Sequence, residues 1–137
     1  MDQIKDEATE NVVIGSLILN PKEYNSVAHY VTDLNVFSQK RARALWVKLS
    51  KMIRSGGHID IITVCSSLTK DEISQGVTKG YVVDCTSNPC TPGITETYAQ
   101  KIYEKYLLRK IVEEAEDIQR NVINHGEDVY SLISKTH

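Results

Sequence analysis

The sequence has no long apolar run and no paired cysteine motif. In its 137 residues no stretch approaches the ~20 apolar residues that span a bilayer, and the first ten residues are too polar and acidic for a signal peptide. The three cysteines form no C-x-x-C pair and the four histidines lie far apart, so the ligand spacing of a metal site is missing. We therefore expect a cytoplasmic protein with no metal site and no membrane contact.

Sequence motifs of nucleotide hydrolysis and of hydrolytic catalysis are also missing. No G-x-x-x-x-G-K-[ST] phosphate loop occurs, and the nearest glycine cluster, Gly76 to Gly80, has neither its spacing nor a strand before it. No G-x-S-x-G or H-E-x-x-H sequence is present. We interpret His58 as structural. The chain is predicted to have no catalytic residue and no cofactor-binding residue of its own.

The composition is that of an ordinary globular protein. Hydrophobic residues make up 41% of the chain and charged residues 25%, which suffices for one real core. The formal net charge of −2 gives no overall attraction to nucleic acid. No segment alternates apolar and polar residues, whereas apolar residues recur at helical spacing along the chain. The sequence therefore predicts an all-α protein.

The first predicted helix runs from about Glu7 to Leu19 and ends before Pro21. Gly15 lies in its middle, where a glycine costs about 1 kcal/mol relative to alanine. We interpret it as a point of close approach by another helix.

The segment GGHIDIITVCSSL, residues 56 to 68, allows two interpretations. Its branched apolar residues are typical of a buried strand. If Asp60 is a helix N-cap, however, Ile61, Val64, Cys65 and Leu68 recur at i, i+3, i+4 and i+7 and form one apolar stripe. The helical segments around it favour a short helix that begins at Asp60.

A basic run precedes that segment. Ser38 is predicted to cap a helix in which no acidic residue offsets the cations Lys40, Arg41, Arg43, Lys48, Lys51 and Arg54. Such a run could displace counterions from nucleic-acid phosphates, or it could be a solvated face whose side-chain stems cover apolar surface. The absence of interleaved aromatic residues favours the solvated face.

The sequence SNPCTPG marks a boundary, so we predict a globular domain over residues 1–93 and a helical hairpin over 94–137. From Thr95 to about Asn124 there is no glycine or proline, which predicts a helix of ~30 residues, or ~45 Å. Part of its apolar face needs another partner, and its basic first half and acidic second half favour an antiparallel dimer. HGED predicts a turn into a second arm that stops at His137, so we expect a fragment cut within a helix.

Three segments in this order resemble the N-terminal domain of DnaB-type replicative DNA helicases. They are DEATENVVIGSLILNP, DLNVFSQKRARALWVKLSKMIRSGGHIDIITVCSSL and KGYVVDCTSNPCTPGITETYAQKIYEKYLLRKIVEEAEDI. The resemblance extends from about Glu7 to Leu132. Ser38 and Ala42 stand where the family commonly has Tyr and His, which fits a divergent copy from a phage or mobile element.

The resemblance implies an all-α globular domain followed by a helical hairpin. Hairpins of this family pair into dimers, and three dimers form a collar over the hexameric motor. The helicase-binding domain of primase docks on the collar, and a helicase loader is a further possible partner. ATP and magnesium would bind in a C-terminal motor domain that this sequence lacks, and DNA would be contacted through the parent helicase.

The resemblance also assigns residues. Asp60 and Thr63 match the family's Ile-Asp-x-x-Thr, and Phe37 and Trp46 match core positions, so their roles are structural. A second set lies at hairpin positions that the family uses at subunit and primase contacts, or that merely pack the two arms together: Arg109, Ile111, Val112, Ile118 and Val129.

Two other functions remain open from the sequence. The first is a freestanding helical adaptor, such as a helicase loader or inhibitor, that pairs with a helicase through the same face. The second and weaker one is a nucleic-acid-binding module that uses the basic run from Lys40 to Arg54.

Overall fold

A computed structural model of the chain describes residues 4–125 and 133–134. In this part of the chain the residues form α-helices and two short 3-10 turns, Pro21–Glu23 and Leu34–Val36, and no strand. The helices are α1 (Glu7–Leu19), α2 (Tyr24–Ala28), α3 (Lys40–Arg54), α4 (Ile61–Ser66), α5 (Lys70–Ser74), α6 (Lys79–Thr86) and α7 (Thr95–His125). The predicted all-α class is confirmed.

Contacts divide the chain into two units, Met1–Tyr106 (unit 1) and Leu107–His137 (unit 2). Unit 1 includes the first turns of α7, because Ala99 and Ile102 are buried in its core. The division predicted from sequence, between residues 93 and 94, lies just before α7 and stays a prediction. The predicted hairpin turn and most of its second arm lie outside the described residues, so the hairpin stays a prediction.

Helix α1 lies at the centre of unit 1 and packs against α6 and α3. Gly15 permits this packing, because a Cβ atom at that position would lie 1.7 Å from the carbonyl oxygen of Cys85 in α6. The predicted close approach at Gly15 is confirmed, and α6 is the neighbouring helix.

The start of α3 is held by a carboxylate of α1. Glu10 is only 1% exposed, and its oxygens accept hydrogen bonds from the Ser38 amide at 3.0 Å, the Ser38 hydroxyl at 2.6 Å and the Gln39 side-chain amide at 3.2 Å. The prediction that Ser38 caps α3 is wrong. Gln39 occupies the N-cap position without a side-chain capping bond, and the Ser38 hydroxyl is used by Glu10 instead.

Removal of this carboxylate should destabilise unit 1. Glu10→Ala leaves donors of half-buried Ser38 and buried Gln39 without an acceptor, so we expect the free energy of unfolding to fall by roughly 2–4 kcal/mol. Urea denaturation followed by circular dichroism measures the loss. Glu7→Ala in the same helix removes an exposed carboxylate and should cost only a few tenths of a kcal/mol. Equal losses for both variants would contradict the role of Glu10.

Residues 61–66 are helical, as the N-cap interpretation of Asp60 predicts. The Asp60 carboxylate accepts a hydrogen bond from the Thr63 amide at 2.7 Å, and the backbone of Asp60 is extended. The hydrogen bonds from Thr63, followed by that of His58, hold the pKa of Asp60 below its usual value. At the start of the Pro21–Glu23 turn, Asn20 occupies the N-cap position, but its side chain makes no capping hydrogen bond.

Aromatic rings fill the core beside α3. Phe37 is fully buried and Trp46 is 6% exposed, and their ring centroids lie 5.6 Å apart. Tyr24 of α2 stacks on Trp46, with ring centroids 5.3 Å apart. These contacts attach α2 and the Leu34–Val36 turn to α3.

Candidate protein-interaction surface

Helix α7 exposes a row of large apolar side chains in unit 2. We call this row the α7 stripe, and its members with their exposed fractions are Leu107 (40%), Leu108 (45%), Ile111 (62%), Ile118 (43%) and Val122 (53%). Because residues three, four or seven positions apart share one side of a helix, these side chains form one continuous face. Contiguous exposed apolar surface of this kind makes the α7 stripe a candidate interaction site.

The residues predicted as an interface are placed as follows. Ile111 and Ile118 are members of the α7 stripe, two helical turns apart. Arg109 and Val112 are half-buried. Val129 lies outside the described residues. The structure thus brings two of the predicted residues onto one face, and their role in binding stays a prediction.

The opposite side of α7 carries charges of both signs in the same region, because Arg109 and Arg120 lie there together with acidic residues. Glu113 and Glu116 are exposed and lie about half a turn around the helix from the α7 stripe. Neither has a hydrogen-bond or ion-pair partner among the residues that the structure describes. Asp117, next to them, pairs with Arg120. Helix α7 therefore presents two chemically different faces.

The basic run on α3 is partly used inside unit 1. Arg41 lies 4.1 Å above the ring centroid of Tyr81, the Arg43 guanidinium donates to the carbonyl of Phe37 at 2.9 Å, and Lys48 pairs with Glu72 at 2.8 Å. The remaining cations, Lys40, Lys51 and Arg54, are exposed and have no such partner in the described part of the chain. The run is therefore not one free cationic surface, which weakens the nucleic-acid interpretation.

Lys48 and Glu72 join α3 to α5. Although burial alone would raise the pKa of Glu72, the hydrogen bonds from Lys48 and Thr69 outweigh it and lower the pKa. The carboxylate is thus ionised at neutral pH, and its charge is offset by Lys48.

A groove of about 300 Å³ lies between α3 and α5, and we call it the α3 groove. Leu34, Ala44 and Val47 supply its aliphatic part. Its polar lining consists of Lys40, Arg43, Lys51, Asp71, Glu72 and Gln75. Sequence analysis found these cations but not the groove, because α5 is brought beside α3 only by the tertiary fold.

Two ionisable side chains, Cys85 and Tyr81, are buried in the core of unit 1. Burial raises the pKa of the Cys85 thiol to about 11, so it is protonated at neutral pH, and burial also raises the pKa of Tyr81. The Tyr81 hydroxyl donates to Asn11 at 2.7 Å. His58 is exposed beside Asp60 at 2.8 Å.

The described residues include no group of three or more His, Cys, Asp or Glu side chains that could hold a metal ion. A separate search of the same part of the chain for a helix both long and apolar enough to cross a membrane finds none.

Two replicative helicases resemble this chain in sequence. Replicative DNA helicase DnaB of Buchnera aphidicola subsp. Baizongia pistaciae (strain Bp) is 25% identical over 121 residues, which cover 87% of this chain and 25% of that protein. Replicative DNA helicase DnaC of Bacillus subtilis (strain 168) is 24% identical over 127 residues, which cover 92% of this chain and 28% of that protein. The chain thus spans about a quarter of the length of these curated relatives.

Two solved structures share the fold. The N-terminal domain of DnaB helicase from Mycobacterium tuberculosis matches with a TM-score of 0.85 at 20% identity, over 96% of this chain and 94% of that one. A structure of a DnaB-like replicative helicase and its interactions with primase matches with a TM-score of 0.70 at 17% identity, over 96% of this chain and 32% of that one. The family model of the DnaB-like helicase N-terminal domain matches residues 2–104. Since those residues are most of the sequence, the chain belongs to the DnaB-like helicase N-terminal domain family.

Proposed function

We propose that this chain is the non-catalytic N-terminal collar domain of a replicative DNA helicase, where it joins helicase subunits into a ring and docks primase. The observation that carries the proposal is the α7 stripe, whose apolar side chains are 40% to 62% exposed in the single chain. Burial of this surface against another chain is favourable without any charge pairing.

Self-association follows from the composition of the α7 stripe. An apolar face on a helix is complementary to a second copy of itself, and a contact of a surface with its own copy closes as a symmetric dimer. The central positions Ile111 and Ile118 are separated by one heptad, the repeat at which two helices keep one seam in contact. Dimers of this chain would then be the building blocks of the ring.

Primase is proposed as the second partner. The support is the family membership of the chain and its shared fold with a DnaB-like replicative helicase whose solved structure concerns interactions with primase. Arg109, which the resemblance places in the set used at subunit or primase contacts, lies on the side of α7 away from the α7 stripe. A primase domain could therefore bind while the α7 stripe is occupied.

The enzymatic activity of the parent protein is also a proposal. ATP and magnesium would be bound by a motor domain elsewhere in the parent helicase, since this sequence has no phosphate loop. A helicase loader would act on the assembled ring, and DNA would be contacted through the parent protein.

Primase docking can be tested with the purified chain. We expect isothermal titration calorimetry to show that it binds the helicase-binding domain of the primase from the same cell. Arg109→Glu should weaken that binding about tenfold or more, because a reversed charge at an interface costs at least ~1.4 kcal/mol. Arg54→Glu makes the same charge change in unit 1 and should leave the affinity unchanged. Absence of binding by the unmodified chain would refute the primase contact.

A further inference from the structure

A cavity of about 180 Å³ lies in unit 1 beside the loop that leads into α7, and we call it the Glu23 cavity. Its polar lining consists of Ser16, Asn20, Glu23, Cys90 and Thr95. Among the described residues that line it, Glu23 is the only acidic side chain and none is basic. The cavity therefore carries one negative charge that no lysine or arginine of its lining offsets.

The carboxylate of Glu23 is only half satisfied. Its Oε1 atom accepts a hydrogen bond from the Gly93 amide at 2.7 Å. Its Oε2 atom is buried and has no hydrogen-bond partner among the residues that the structure describes. A carboxylate oxygen that has lost its water is costly unless another donor replaces that water. Oε2 therefore calls for a donor that the described part of the chain does not supply.

Two further side chains of the Glu23 cavity have unused oxygens. Thr95 is only 1% exposed, and its hydroxyl has no partner in the described part of the chain. The Asn20 side chain lines the cavity and makes no capping hydrogen bond. Together with the Glu23 carboxylate, the hydroxyl and the amide oxygen offer three acceptors. A primary ammonium group has three donors and no acceptor, so its chemistry matches this set.

We propose that the Glu23 cavity binds the primary ammonium group of an aliphatic amine. The carboxylate of Glu23 supplies the opposite charge, and Thr95 and Asn20 supply further acceptors. This inference does not depend on the proposed function, because the cavity lies in unit 1 and shares no residue with the α7 stripe.

The size of the Glu23 cavity suits a short alkyl chain. A cavity of about 150 Å³ in another protein holds a ring of six carbons, so about 180 Å³ has room for the five non-hydrogen atoms of n-butylammonium. Leu19 is 48% exposed and Pro92 is exposed, and both line the cavity. The far end of the alkyl chain can therefore pack on apolar surface and reach solvent.

Hydrogen bonds hold the loop beside the Glu23 cavity in place without a ligand. The Cys90 amide donates to the Ser16 hydroxyl oxygen at 3.1 Å, and that hydroxyl donates to the Cys90 sulfur at 3.2 Å. The bond from Gly93 to Glu23 fixes the same loop at a second point. Because the site is formed before the ligand arrives, little conformational entropy is lost on binding.

A divalent metal ion is the less favourable occupant of the Glu23 cavity. Calcium takes roughly six to eight oxygen ligands and is usually held by several carboxylates, whereas the described lining offers only that of Glu23. A bare ion would also leave most of the cavity volume unfilled.

Titration with n-butylamine at pH 7, followed by two-dimensional ¹H,¹⁵N NMR, tests the proposal. The amine is protonated at that pH. We expect a saturable shift of the Gly93 amide resonance, because that amide donates to the Glu23 carboxylate. The Gly57 amide, which does not line the cavity, should not shift. Neutral n-butanol has the same number of non-hydrogen atoms, and neither it nor potassium chloride of equal ionic strength should reproduce the effect.

Two variants of the cavity and one control complete the experiment. Glu23→Gln keeps an oxygen for the Gly93 amide but removes the charge and places a second donor in the cavity. We expect it to raise the dissociation constant of n-butylamine at least about tenfold. Thr95→Val keeps the shape of the side chain without its hydroxyl and should raise the constant about threefold or more. Glu7→Gln makes the same charge change at an exposed residue outside the cavity and should bind like the unmodified chain.

Four results would overturn the proposal: no saturable shift with n-butylamine, which would mean that the cavity holds water only, an equal shift with n-butanol, an equal shift with potassium chloride, or unchanged affinity in a correctly folded Glu23→Gln protein. Circular dichroism checks the folding of each variant.

A lysine derivative blocked at both ends identifies the source of the amine. It carries the same butylammonium chain on a peptide backbone. Tighter binding of this compound than of n-butylamine would support the proposal with a lysine side chain of another protein as the ligand. Weaker or equal binding would support it with a free amine as the ligand.

Discussion

Aspartate at positions 111 and 118 is expected to convert the chain from a dimer into a monomer. Ile111 and Ile118 are 62% and 43% exposed in the single chain, so their replacement leaves the core of unit 1 intact. The proposed dimer would bury Ile111 and Ile118 of both copies, so the double variant would place four carboxylates in the contact. Four carboxylates would then lose their water, and each buried, unpaired charge costs several kcal/mol.

The expected loss of affinity is therefore large. Since each ~1.4 kcal/mol changes a dissociation constant tenfold, we expect the dimer to weaken by at least about a thousandfold. Sedimentation equilibrium in about 0.5 M salt measures this contact alone, because salt at that concentration screens contacts between exposed charges. Circular dichroism checks that the variant keeps its helix content.

Ile123→Asp is the matched control for this experiment. Ile123 is 73% exposed on the same helix but lies to one side of the α7 stripe. The change adds one aspartate to the same unit, where the double variant adds two, and it lies outside the proposed contact, so we expect the dimer to persist. A dimer that survives Ile111→Asp with Ile118→Asp would show that the α7 stripe is not the contact between copies.

Gly15→Ala is expected to destabilise unit 1 strongly, although it only replaces a hydrogen atom with a methyl group. The new Cβ atom would lie 1.7 Å from the carbonyl oxygen of Cys85 and 2.3 Å from its carbonyl carbon. Backbone atoms cannot rotate away as a side chain can, so α1 and α6 would have to separate. We expect a loss at or above the upper end of the ~1–3 kcal/mol that overpacking usually costs.

The free energy lost through this contact should exceed the free energy gained from the higher helix propensity of alanine. Alanine improves intrinsic helix stability by about 1 kcal/mol over glycine, but it does not relieve the contact with α6. A domain of this size loses ~4–8 °C of melting temperature per kcal/mol, so differential scanning calorimetry should show a fall of more than ~10 °C.

Gly80→Ala is the control for this prediction, because it adds a methyl group to α6 without a close contact. Gly80 is an exposed residue of α6, and the nearest atom to its added Cβ would be the Thr78 hydroxyl oxygen at 3.8 Å. With no contact to relieve, we expect this variant to be as stable as the unmodified chain or up to about 1 kcal/mol more stable. A Gly15→Ala protein of unchanged melting temperature would mean that α1 does not pack so closely on α6.

Local signals in the sequence suffice to predict most of the helices of this protein. Pro21 ends α1, Asp60 caps α4, and the absence of glycine and proline after Thr95 produces the long α7. Each of these signals acts within a few residues, through a cap, a missing amide proton or a helical period, so no knowledge of the fold is needed to interpret it. The exposed half of α7 follows in the same way from its length.

Contacts between groups far apart in the sequence depend on how the helices pack. The carboxylate of Glu10 holds Ser38 across 28 residues of sequence, and Lys48 reaches Glu72 across 24. The sequence analysis did not single out Glu10, although its spacing with Val13, Ile14 and Leu17 puts it on the apolar face of α1. The partner of a buried or paired charge is chosen by packing, because the hydrogen bonds that offset its loss of water come from whichever helices lie beside it.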